Sequence, residues 1–155
     1  MRNNRVYGEN EAYEFAAKWL PWIAAKTGLK YDWSMRVPEI EQMSKKELDD
    51  RYNNGLPSGD AAYLPMATKL VYCGDYSNAS RDYIEGGLIH ELVHFLQDKN
   101  GMLFKGSGYG VNEIERQAYA TMRDWWIETG TRNAYGLTNP ALFAKAVGMS
   151  VNGAR

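Results

Sequence analysis

The residues that could do chemistry stand in the stretch GGLIHELVHFLQ, residues 86–97: His90, Glu91 and His94. The chain has two histidines, and both are here. In an α-helix, residues four apart lie one turn above each other on the same face, so His90 and His94 present two imidazole nitrogens to one ion. That arrangement suits zinc. Glu91 is one residue along, rotated to the side of that face, where its carboxylate can reach a water activated by the ion without becoming a ligand. It is the general-base candidate. Leu88, Ile89, Leu92, Val93, Phe95 and Leu96 cover the other sides, which predicts a buried helix whose polar stripe lines a cavity and whose histidines and glutamate need partners. The competing reading is a pair of histidines that are simply exposed, or core histidines satisfied by ordinary hydrogen bonds.

Catalytic zinc takes three protein ligands and keeps a fourth position open. With no third histidine, the remaining ligand must be Asp, Glu, Cys or Tyr. The stretch NEIERQAYA offers Glu113 and Glu115. Glu115 is the first choice: it opens an E-x-x-A-Y pattern in which Ala118 and Tyr119 share its helix side, with a residue at 118 small enough for two helices to approach closely. Glu113 is the alternative, and its other role would be an acidic residue stabilising a helix N-terminus. Cys73 has no neighbour at ligand spacing and ranks behind both.

The elements that must position these residues follow from hydrophobic period and punctuation. Residues 9–26 carry Ala12, Phe15, Ala16, Trp19, Leu20 and Ile23 at helical spacing, with Pro21 expected to kink its turn and Gly28 to stop the helix. Residues 31–37 alternate before Pro38 and predict a strand. Ser44 and Glu47 have capping-box spacing and open a short polar helix. Gly55, Pro57 and Gly59 mark a loop. Residues 61–73 predict a hairpin turning over Pro65 to Thr68. The motif helix runs from an N-cap at Ser80, through Asp82 in its first turn, to Lys99, with Gly101 beyond. After a glycine-rich loop, residues 112–129 form a helix ended by Gly130, and a last short helix starts near Asn139 and Pro140 and runs to Val147. This order predicts one α+β domain with a small, mostly antiparallel sheet packed against the motif helix and a second, ligand-bearing helix.

At 155 residues and 45% apolar composition, the chain can bury one sizeable core and is too short for two. Its net charge of −1 comes from interspersed residues, which argues against nucleic acid as the main partner. No apolar run approaches a membrane span and no signal peptide is visible, so a soluble protein is expected, with no membrane partner. The single cysteine fits a reducing compartment such as the cytoplasm. Compartment and oligomeric state are otherwise unread.

HExxH on one helix with Glu-x-x-Ala on a later one resembles the gluzincin zinc metallopeptidases, and the small size resembles their single-domain members, the minigluzincins. The resemblance covers residues 61–126 and implies a zincin-like fold. It makes His90, His94 and Glu115 the ligands of a Zn2+ ion, and Glu91 the base and proton shuttle. It also implies that the strand before the motif helix, residues 69–73, lies at the cleft edge and binds extended peptide by strand addition, and that Gly86 and Gly87 leave room for close packing. Metzincins need a third histidine and are excluded. One departure stands out: gluzincins often carry Asp four residues after the ligand Glu, orienting a zinc-bound histidine, and here that position is Tyr119, whose phenol could substitute or reach toward substrate.

The expected activity is zinc-dependent endopeptidase hydrolysis of a peptide or protein substrate. Tyr119 is the leading donor to the oxyanion, ahead of Tyr109 and Arg123. The other tyrosines for the most part, and all five tryptophans, read as core or interface. The alternatives are a zinc-binding module of the same fold with little proteolytic activity, acting through protein–protein contacts, and an interaction domain binding no metal. The tail, with Leu142, Phe143 and Val147 at helical spacing, could cover the cleft and confer latency, although packing on the core is the simpler expectation.

Overall fold

The computed structural model describes residues 5–52 and 60–131. The order is α1 (Glu9–Thr27), β1 (Glu39–Gln42), α2 (Lys45–Tyr52), β2 (Ala61–Leu64), β3 (Lys69–Tyr72), α3 (Arg81–Lys99) and α4 (Val111–Glu128), with one 3-10 turn, Pro65–Ala67, between β2 and β3. The architecture is α+β. The expected loop at Gly55, Pro57 and Gly59, the expected last helix and the tail lie outside the described residues.

Local chemistry accounts for the helix ends. Glu11 accepts from the Gly8 N–H at 3.3 Å at the start of α1, and Gly28, at φ 75°, ends it by donating to the Ala24 carbonyl. The left-handed turn there is one that glycine adopts without strain. Pro21 stands inside α1, which continues past it. Ser44 Oγ accepts from the Glu47 N–H at 3.0 Å, opening α2 as expected, and Ser80 Oγ accepts from the Tyr83 N–H at 3.3 Å, opening α3.

Three expectations are corrected. Residues 31–37 are not a strand: Asp32 folds them into a turn, its side chain accepting from the Ser34 N–H at 3.0 Å and its carbonyl from the Met35 N–H at 2.9 Å. Such an Asx turn competes with strand pairing, and β1 forms only after Pro38. Trp33, at the tip of that turn, is 96% exposed, outside the core, which leaves only the interface part of the expectation for it. The sheet is mixed rather than mostly antiparallel: its order is β1-β3-β2, with β1 parallel to β3 and β2 antiparallel to it. That order also overturns the expectation for residues 69–73. β3 is the central strand, its backbone paired on both sides, and so it has no edge to offer a peptide.

The sheet divides the apolar residues by strand alternation. Leu70 and Tyr72 face the main core with α1, α3 and α4, while Val71 and Cys73 face a smaller cluster with Met43 and Leu48. The middle of α3 is buried on all sides, from Leu88 to Gln97. No helix among the described residues is long and apolar enough to cross a membrane.

Candidate metal centre

α3 supplies two of the site's side chains from one stripe, and α4 lies against that stripe. The close approach rests on small residues. Ala118 of α4 is fully buried, and a Cβ built on Gly86 would lie 2.3 Å from the Trp126 ring, so only glycine fits there. Gly87 is looser, its added Cβ standing 4.0 Å from Ala61 of β2.

Across this interface His90, His94 and Glu115 converge, with ligand atoms within 4.8 Å of one another. The Nε2 atoms of the two histidines are 3.2 Å apart. Glu115 Oε1 is 3.0 Å from His90 Nε2, and its Oε2 is 3.1 Å from His94 Nε2. Donors about 2.0–2.1 Å from a tetrahedral ion stand about 3.3–3.4 Å from one another. The histidine pair is close to what one ion would need, while the two Glu115 distances belong to its two different oxygens, so binding an ion would take a small outward adjustment and a turn of the carboxylate to present one oxygen to it. The group can hold a metal ion.

Glu113 is placed elsewhere. Its Oε1 accepts from the Gly110 N–H at 2.9 Å, capping the start of α4. Cys73 is buried in the minor cluster, away from the histidine pair. Glu91 is buried beside the triangle, with Oε2 4.0 Å from His90 Nε2, near the donor set but outside it. Tyr119 lays its ring on His90, centroids 4.3 Å apart, and its hydroxyl makes no hydrogen bond among the described residues. Tyr109 is half exposed, at 49%, in the glycine-rich loop.

Electrostatics hold His94 and Glu115 charged. Burial opposes charge on His94, yet the hydrogen bond to Glu115 and the charges of Glu91 and Glu115 outweigh it, and the imidazole is pushed up to about 9. Burial likewise opposes charge on Glu115, but its hydrogen bonds with His90 and His94 hold it well below the usual carboxylate range. Burial raises the Tyr119 phenol, with Glu115 and Glu91 adding to the effect, so at neutral pH it is a proton donor.

One polar residue of the site escaped the sequence reading. Gln97 is fully buried, and its Oε1 lies 2.7 Å from His94 Nδ1. The place expected for Tyr119, orienting a histidine, is taken at His94 by this amide. The available signal was a glutamine three residues after His94, closing an otherwise apolar run. His90 Nδ1 is buried without a partner.

Two grooves of about 410 Å3 lie elsewhere. One is bordered by Phe15, Trp19, Arg81, Glu85 and Trp125, the other by Asp60, Asn78, Ser80 and Tyr83. Neither includes His90, Glu91, His94, Glu115 or Tyr119. Comparison of the chain with protein-family models, with curated proteins and with solved structures found no match.

Proposed function

We propose that the chain is a zinc-dependent peptidase, a small single-domain relative of the gluzincins, in which Glu91 is the general base. One observation supports this reading above the others: a buried carboxylate stands 4.0 Å from a ligand nitrogen, next to a His-His-Glu donor set and not part of it. A purely structural metal site has no use for such a group.

His90, His94 and Glu115 would hold the ion. When bound, zinc acts as a Lewis acid toward the scissile carbonyl and lowers the pKa of water. Glu91 accepts the proton of the attacking water as the new C–O bond forms, then delivers it to the leaving amine as the C–N bond breaks. The Tyr119 hydroxyl, protonated and without another partner among the described residues, donates to the carbonyl oxygen as charge builds on it. An extended peptide would add along the outer edge of β2, which pairs only with β3 among the described residues and passes beside α3 at Gly87.

The test is zinc per chain by elemental analysis together with cleavage of a peptide library by wild type and by Glu91→Gln. One zinc in both, with cleavage lost in the variant, is the expected result. A zinc-binding module with little activity is the second reading, favoured by one observation: Tyr119 stands where gluzincins often carry an Asp that orients a zinc-bound histidine. It predicts one zinc in both proteins and cleavage by neither.

A further inference from the structure

We propose that Gln97 is a positioning residue: it fixes the proton of neutral His94 on Nδ1, and so makes Nε2 the ligand atom, on instruction from the main chain of α4. This deepens the metal reading above and rests on it for its functional meaning.

The argument starts from what an amide can do. A glutamine side chain has one oxygen that accepts and one nitrogen that donates two hydrogens. Gln97 is fully buried, so every one of these groups needs a protein partner. Its Nε2 lies 3.0 Å from the Ile114 carbonyl oxygen and 2.9 Å from Gln117 Oε1. A backbone carbonyl can only accept. The amide nitrogen must therefore face α4, and the flip that would exchange nitrogen and oxygen is closed. Oε1 is then left to face His94 Nδ1 at 2.7 Å, and an oxygen there demands a hydrogen on Nδ1.

A neutral imidazole carries one hydrogen. With it held on Nδ1, the lone pair is on Nε2, the atom that faces His90 Nε2 at 3.2 Å; in the ion-free chain the Glu115 carboxylate, 3.1 Å from the same Nε2, pulls the hydrogen the other way, and the shorter Gln97 contact opposes it. Ile114 is the residue next to Glu115. The same turn of α4 that brings in the third donor thus also sets which nitrogen of His94 is available. His90 has no counterpart to Gln97: its Nδ1 is buried and unpartnered, and its one close side-chain acceptor, Glu115 Oε1, faces Nε2 at 3.0 Å. The two histidines of one motif are held unequally.

The experiment uses the full chain, wild type, Gln97→Met and Gln97→Glu. Methionine fills similar space with no acceptor of comparable strength, whereas glutamate restores an acceptor for Nδ1–H while losing the donors to α4. Side-chain 15N NMR on the ion-free protein, at a pH where the imidazole is neutral, reads the tautomer directly, and competition with a chromophoric chelator reads zinc affinity. Thermal unfolding checks that each variant is folded. The expected results are an Nδ1–H tautomer of His94 in wild type, a shift toward Nε2–H in Gln97→Met with zinc affinity lowered about 10- to 100-fold, and recovery of the Nδ1–H tautomer in Gln97→Glu. An unchanged tautomer in Gln97→Met overturns the inference, even if affinity falls, because the effect would then be packing alone. Should wild type bind no zinc, the metal reading fails separately, and the tautomer comparison still decides the role of Gln97.

Discussion

Trp126 occupies the space that a side chain at position 86 would need: a Cβ on Gly86 would stand 2.3 Å from its Cζ2 and 2.6 Å from its Cε2. The indole is also tied to α3, its Nε1–H donating to the Asp82 carbonyl at 3.0 Å, so the ring cannot step aside cheaply. Gly86→Ala should destabilise the protein by about 1–3 kcal/mol through overpacking. Because the displaced helix carries Glu115, metal affinity should drop with it. Urea unfolding with and without zinc measures both, and a variant as stable as wild type would show that α4 can shift freely.

Glu113 and Glu115 are two residues apart and should behave as different kinds of residue. Glu115→Ala is expected to abolish stoichiometric metal binding. Glu113→Ala should leave one zinc per chain and cost about 0.3–1 kcal/mol through loss of the acidic group at the start of α4. Elemental analysis of the two variants side by side decides it, and the reverse pattern would assign the third ligand to Glu113.

Glu91→Gln keeps the shape of the side chain and removes its basicity. Zinc content should be unchanged while kcat/KM for peptide cleavage falls about 10²–10⁴-fold, the usual range for a general base. A variant that cleaves as wild type does would remove Glu91 from the chemistry.

In the ion-free chain His94 and Glu115 hold each other charged, and stability should follow pH accordingly. His94 is raised from 6.5 to about 9, so its contribution is complete below about 6.5 and is lost as pH climbs through about 9. Glu115 is depressed below its usual 4.5, so its contribution is present above about 4.5 and is lost as pH falls. The melting temperature in the presence of chelator should therefore be highest between about pH 4.5 and 6.5 and should decline toward pH 10. Glu115→Gln should flatten this profile, and a wild-type profile that is already flat would contradict the pairing.

Cys73 is 1% exposed, and burial pushes its thiol above the ordinary range. It should resist a thiol-specific chromogenic reagent in the folded chain and react at once in denaturant. Reaction of the native protein on the same timescale as the denatured one would place the sulfur at the surface.

What the sequence made legible was local. Ser44, Ser80 and Gly28 mark helix ends because a cap is satisfied within a few residues of its own backbone, and the hairpin around Pro65 to Thr68 is equally short-range. Residues 31–37 misled because alternation and turn chemistry were both present, and Asp32 resolves the contest through contacts two and three residues away. The sheet order could not be read locally: pairing Ile40 with Leu70 depends on a crossover through α2. Glu115 over Glu113 is a matter of helix phase. Two residues turn an α-helix by about 200°, so only one of the two can share the α3-facing side with Ala118. Gln97 went unread because, beyond its local contact with His94, the partners that fix its amide, Ile114 and Gln117, come from another helix.

The donor triangle also has a mechanical meaning. His90 and Glu115 are 25 residues apart in the chain, with the loop containing Gly106, Gly108 and Gly110 between them, and the single cysteine leaves no intrachain disulfide to fasten that loop. An ion held at the triangle would be the missing crosslink. Because the site exists only in the folded chain, its contribution would grow with free metal, reaching about 4 kcal/mol at a thousandfold excess over Kd. A protein cut once within the glycine-rich loop would be held together by the packing of Ala118, Trp125 and Trp126 in the main core, and more tightly while the metal is bound than after a chelator takes it away.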